Sequence, residues 1–131
     1  MIIDNRVLDD LSARAKALPC LRQAYDLRNT LEDNSQRMLN ALEPGTVMPI
    51  HRHLASSETV VLLRGKICWR FYDNVGNEAN SVLLDANGDV RCINVEKAWW
   101  HSLVCLSSGS VLLECKDGRY EMLRKDEVME K

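Results

Sequence analysis

The stretch GTVMPIHRHLASSETVVLLRG, residues 45–65, decides how this chain is read. Two of the three histidines in the protein, His51 and His53, stand one residue apart within it. On an extended strand residues i and i+2 project to the same face, so both imidazoles enter one space. Imidazole is the commonest protein ligand for transition ions, and such a pair offers two neighbouring positions without backbone distortion. Glu58 follows after a short polar link and is near enough to bring a carboxylate back beside the pair. Gly45, after Glu43 and Pro44, and Gly65, between Arg64 and Lys66, suit turns into and out of this unit.

Outside this stretch, short apolar runs separated by Gly-, Asn- and Asp-rich turns continue from Asn34 to about Tyr120. The spacing predicts strands over Gln36–Leu42, Thr46–His53, Thr59–Leu63, Ile67–Tyr72, Asn80–Leu84, Val90–Asn94, Ser102–Leu106 and Val111–Lys116. So many short strands hide their apolar faces only by closing on themselves or stacking, which makes the chain mainly β, a barrel or jelly roll. His101 opens one of these strands directly after Trp99 and Trp100. A barrel brings that strand beside the histidine pair, and the resulting set of three nitrogens and one carboxylate oxygen leaves coordination positions open for water or substrate.

The fixed residues resemble the cupin superfamily, whose first motif reads G(X)5HXH(X)3–4E(X)6G. Gly45, His51, His53, Glu58 and Gly65 match every fixed position. The second cupin motif, G(X)5PXG(X)2H(X)3N, is met only at its histidine, His101. Glu96, Ala98 and Cys105 stand where proline, glycine and asparagine are usual, and Gly88 is displaced by two residues. The stretches QRMLNALEPGT and LLECKDGRY also resemble the WbuC family of cupin-fold metalloproteins, over most of the chain. The resemblance implies a jelly-roll (double-stranded β-helix) barrel and one divalent transition metal, zinc, iron, manganese or nickel, on His51, His53, Glu58 and His101. By analogy it also implies a homodimer and a sugar derivative of surface-polysaccharide (O-antigen) metabolism as substrate.

Further polar residues are candidates for chemistry. Arg37 and Asn40, on the strand before the motif, are candidate substrate contacts, Arg37 as a clamp for a carboxylate or phosphate and otherwise a structural residue. Glu114 and Lys116 share one strand face, as a local ion pair or as acid–base groups beside the metal. Tyr120 caps the pocket or packs, and Trp99 stacks on a ligand or fills apolar space beside Trp100. Glu58 itself is a ligand or a catalytic base. The five cysteines, Cys20, Cys68, Cys92, Cys105 and Cys115, form an odd set without a CxxC pair, and four sit in apolar runs. Buried reduced thiols follow, with Cys105 the one candidate nucleophile because of its spacing from His101.

The 131 residues are 46% hydrophobic and 27% charged, with net charge −2, the composition of one folded domain without a basic field for nucleic acid. The longest aliphatic run, Val60–Leu63, is far short of the roughly 20 residues that cross a bilayer. The first residues lack the basic and apolar regions of a signal peptide, so a cytoplasmic location is expected. Residues 1–34 read as a helical segment, 35–120 as the barrel and 121–131 as a charged tail, either a short helix or loose. Asp4 to Leu18 carries a helical apolar stripe ended by Pro19, and residues 20–34 read as a short helix or irregular link. Three functions fit: a metal-dependent enzyme for a small oxygen-rich substrate, as in isomerisation or epimerisation; an iron-dependent dioxygenase; and a non-catalytic module that binds a metal and a small ligand.

Overall fold

Asp4 starts the first helix, α1 (Asn5–Ala17), because its carboxylate accepts the Arg6 and Val7 amides at 3.1 and 3.2 Å. The computed structural model describes residues 1–130. α1 buries Leu8, Leu11, Ser12 and Ala15, the stripe expected from the sequence. Eight strands follow: β1 (Arg22–Asp26), β2 (Ser35–Leu42), β3 (Glu58–Arg64), β4 (Lys66–Tyr72), β5 (Glu78–Asp85), β6 (Cys92–Val95), β7 (Trp100–Cys105) and β8 (Ser110–Asp117). They form two antiparallel sheets, β1-β2-β8-β3-β6 and β5-β4-β7.

Strand alternation divides the larger sheet into two faces. Leu39, Ala41 and Val111 face outward and pack under α1 with Leu8, Leu11 and Ala15. Leu42, Val60, Leu62 and Leu112 face inward and meet Ile67, Trp69, Leu84 and Leu103 of the second sheet and its connections. The mainly β jelly-roll barrel with a short N-terminal helix is therefore the architecture. The apolar packing fills one end between the sheets, and the polar inner residues Gln36, Asn40, Glu58, Glu114 and Lys116 gather at the other.

Two expected elements differ. Residues 22–26, read as helix or irregular link, form edge strand β1, with Arg22 opposite Leu42 and Asp26 opposite Met38. Of its residues only Gln23 is even partly buried, so burial leaves no period in the sequence, and pairing with β2 decides its conformation. Thr46–His53 forms no continuous ladder; among the described residues its bridges are at His51, to His101 and Val128. Pro49 has no amide hydrogen to extend one.

The charged tail, of which Lys131 lies outside the described residues, turns at Lys125–Glu127 and flanks the histidine segment. Arg52 N donates to Glu127 O and Met129 N to Ile50 O, each at 2.9 Å. The five cysteines are free, but only Cys105 is buried, while Cys20 and Cys92 are exposed. No helix of the described residues is long and apolar enough to cross a membrane.

Gly65 joins β3 to β4 at φ +88°, where an added Cβ collides with the Ser110 side chain and backbone. Gly109 also has positive φ, +77°, but opens to free space. Gly65→Ala is expected to cost about 1–3 kcal/mol from backbone strain plus a packing penalty. Gly109→Ala should cost only the strain. Equal losses in denaturant melts of the two variants would remove the packing role assigned to Gly65.

Candidate metal centre

His51 and His101 exchange backbone hydrogen bonds, His51 N to His101 O at 3.0 Å and His101 N to His51 O at 2.8 Å. Directly opposite residues of an antiparallel pair put their side chains on the same face. The two imidazole centroids are accordingly 4.3 Å apart. His53, two residues on, points into the same space, with centroids 5.3 Å from His51 and 5.5 Å from His101. Ala98 N donates to His53 O at 2.9 Å and carries the pairing forward. One ring nitrogen from each histidine lies within 4.8 Å of the others.

On two of the rings Nδ1 is engaged in a way that orients the imidazole. His51 Nδ1 lies 2.9 Å from Pro49 O, and His101 Nδ1 lies 2.8 Å from Trp99 O. A carbonyl at Nδ1 fixes the proton there and leaves Nε2 as the bare donor, as in metal-binding histidines. His101 is 1% exposed, stacked on Trp69 with centroids 5.3 Å apart, and its Nε2 has no hydrogen-bond partner. Glu58 is 5% exposed; its Oε2 lies 3.1 Å from His53 Nε2 and 3.9 Å from His101 Nε2, again with no aligned hydrogen bond. Two buried polar atoms left unpaired side by side are costly unless something binds them. Imidazole nitrogens and a carboxylate oxygen are a donor set that suits a divalent transition ion.

Electrostatics prepares the set. Burial, assisted by the neighbouring His101 and His53, pushes His51 down to about 4, and burial also lowers His101, so both are neutral donors near pH 7. Burial raises Glu58, but His53, His101 and Lys116 outweigh it and hold the carboxyl below its usual range. Glu114 goes the other way: burial and the charge of Glu58 push it up to about 8, against Asn40, Lys116 and Arg22. Burial raises the Cys105 thiol, whose Sγ points at the Leu42 and Ser107 carbonyls, so Cys105 is a packed thiol and not a nucleophile.

The three histidines and Glu58 line a cavity of about 410 Å³. Asn40, Glu114, Lys116 and Tyr120, expected from the sequence, line it too. Arg37 does not. It alternates with Asn40 onto the outer face of β2 and bonds Asp33 at 3.0 Å and Leu27 O at 3.4 Å. Trp99 is also elsewhere, 49% exposed and edge-on to Phe71 in a separate surface hollow, while Trp100 lies under Arg52 with 4.2 Å between guanidinium and ring. Gln36 and Arg22 line the cavity and were not among the expected contacts. Gln36 shares the parity of Asn40, so alternation was a sufficient signal for it; Arg22 was hidden by the misread β1.

The family model described as "Domain of unknown function (DUF6016)" matches residues 3–84. No curated protein matches the chain. Among solved structures, KdgF from Halomonas sp. superposes with a TM-score of 0.62 at 16% identity, covering 79% of this chain and 84% of KdgF. The capsular polysaccharide assembling protein CapF from Staphylococcus aureus gives 0.63 at 17% identity over 75% of this chain, but only 26% of CapF. The Schizosaccharomyces pombe Cnp3 cupin domain gives 0.58 at 14% identity, over 76% of this chain and 61% of the other. At these identities the similarity establishes a cupin fold.

Two pH effects follow for the metal-free protein. His51 is neutral when folded down to about pH 4, whereas unfolded it takes a proton near 6.5. The unfolded state therefore binds more protons between these values, and stability is full above about 6.5 and lost as pH falls toward 4, by on the order of 3 kcal/mol. Glu114 has the opposite sign: folded, it keeps its proton to about 8, so stability falls as pH rises from its usual 4.5 toward 8. Glu114→Gln should remove that decline, becoming relatively more stable than the parent between pH 5 and 8 in urea melts. A decline of the same size in the variant would mean that Glu114 is ionised in the folded protein.

Proposed function

We propose that this chain, which belongs to the family described as a domain of unknown function (DUF6016), is a cupin-type metalloenzyme that handles a small oxygen-rich substrate. The observation that carries the reading is the convergence of three imidazole nitrogens within 4.8 Å, beside the unpaired buried Glu58 carboxylate, in a cavity of ligand size. His51, His53 and His101 would hold one divalent ion, zinc, iron, manganese or nickel, and Glu58 would complete the set. A bound ion supplies Lewis-acid stabilisation of negative charge on a carbonyl or hydroxyl oxygen.

The protein's own groups supply the rest. Glu114, protonated at neutral pH, donates a hydrogen bond or a proton to a ligand oxygen in the cavity. Asn40 lies on the same inner wall and hydrogen-bonds that carboxyl, partly opposing its protonation. Tyr120, from the coil after β8, lines the cavity with Arg28 5.4 Å over its ring, and so limits access from that side. Proton transfer next to a carbonyl, as in isomerisation or epimerisation, fits a neutral acid beside an anionic carboxylate on one cavity wall. The narrower kinship with the WbuC family, and with it a sugar derivative of O-antigen metabolism, rests on the stretches QRMLNALEPGT and LLECKDGRY. The segments 1–34, 35–120 and 121–131 are read as one domain, a reading supported by the bonds of Arg64 of β3 to Asp9 and Asn5 of α1 and of the tail to the histidine segment.

The test is metal content. Protein purified without chelator is expected to carry about one transition ion per chain by mass spectrometry of the elements, and His51→Ala/His53→Ala is expected to carry none while keeping its β circular dichroism. Unchanged stoichiometry in the double variant would place the metal elsewhere and end this reading.

A further inference from the structure

One row of side chains crosses the inner wall of the larger sheet. Lys116 of β8 stands directly opposite Gln36 of β2 on one side and Glu58 of β3 on the other. Opposite residues on one face have Cβ atoms roughly 5 Å apart, so a single small molecule can touch all three. The row contains a carboxylate that belongs to the metal set and, beside it, two groups that this set does not use.

Lys116 is only partly exposed, yet among the described residues no carboxylate lies within the 4.0 Å of a salt bridge to it. Its one close polar partner is His53 Nδ1 at 3.5 Å. A histidine that gives Nε2 to a metal carries its proton on Nδ1, which then opposes an ammonium instead of accepting from it. The Lys116 charge is thus free to bind an anion in the cavity. Gln36 is 3% exposed, lines the same cavity, and its Oε1 accepts no hydrogen bond. A buried amide oxygen without a donor needs one, and a ligand hydroxyl supplies it. Arg22 adds a second cation on the cavity wall, toward Glu114.

Resting on the metal-site reading of this cavity, we infer that its ligand is a small hydroxy-carboxylate, with the carboxylate held by the Lys116 ammonium and a hydroxyl by the Gln36 amide oxygen. A carboxylate fits better than a phosphate ester because Glu58 flanks the same lysine. A monoanion meets one unpaired ammonium there, whereas a dianion adds repulsion from the neighbouring carboxylate. The cavity, about 410 Å³, lies toward the small end of ligand sites and suits a molecule of this kind.

The experiment is calorimetric titration of metal-loaded and metal-stripped protein with glycerate, its neutral counterpart glyceramide, and glycerol 3-phosphate, with metal content measured on the same samples. Glycerate is expected to bind at least tenfold more tightly than either of the others. Lys116→Met is expected to erase the preference over glyceramide, and Gln36→Leu to weaken glycerate severalfold while leaving propionate, which lacks hydroxyls, unchanged. Equal binding of glycerate and glyceramide by the unaltered protein overturns the inference without needing any variant. So do a preference for glycerol 3-phosphate, no binding of any of the three, or a glycerate preference that survives Lys116→Met. A chain that takes up no metal defeats the metal reading, while a glycerate preference in that chain that Lys116→Met abolishes still assigns the carboxylate to Lys116.

Discussion

The site depends on one reciprocal pair of backbone hydrogen bonds, between His51 and His101. These residues are distant in sequence, and neither belongs to a long ladder with the other; the bridge between them is isolated. The segment carrying His51 and His53 is therefore held by its neighbours on two sides. On one side lie His101 and Ala98, and on the other the returning tail, where Glu127 accepts the Arg52 amide through its carbonyl and the Leu54 amide through its carboxylate. Glu127 is itself buried, with its other oxygen accepting the Arg124 amide at 3.0 Å. A carboxylate satisfied by two backbone amides is a rigid clip, and it fixes the stretch on which His51 and His53 stand.

The barrel interior is split accordingly. One end is filled by Trp69, Leu84, Leu112 and their neighbours, packed as a core. The other end holds His101, Glu58 and Gln36, all buried and all with an unpaired polar atom. Such atoms oppose folding, so the apolar end and the helix packed outside the sheet must carry the stability that the polar end lacks. A conflict of this kind between burial and polarity is where local rules give way to function.

Much of this was legible. The spacing of His51, His53 and Glu58 between Gly45 and Gly65 marked three residues that the structure does bring together with His101, and the regular turn residues identified the barrel. Ala98 is instructive: it stands where the resembled motif has glycine, and it adopts φ +68° all the same. The turn keeps its shape because the Ala98 amide is tied to His53 O, so the backbone absorbs the strain that glycine would avoid. What stayed hidden lacked a local signal. β1 has almost no buried residue to mark its period, and the tail reads as solvated charge although its backbone is what pairs with Ile50 and Arg52. Arg37 lies outside the cavity because alternation cannot place both Arg37 and Asn40 on one face, and Asn40 takes the inner one.

The inner wall also separates two carboxyl groups by environment alone. Glu58 sits in the row of Lys116, next to three imidazoles, and is held in its charged form. Glu114 lies one row away, opposite Met38 and Val60, where burial and the charge of Glu58 keep it protonated up to about 8. Two like groups this close cannot both ionise cheaply, and Glu58, which His53, His101 and Lys116 stabilise as the anion, is the one that does. The division leaves an anion beside the three imidazoles and a protonated carboxyl on the same cavity wall. The positions of the two carboxyl groups are thereby set by the register of β8 against β3, which pairs Lys116 with Glu58 and Glu114 with Val60.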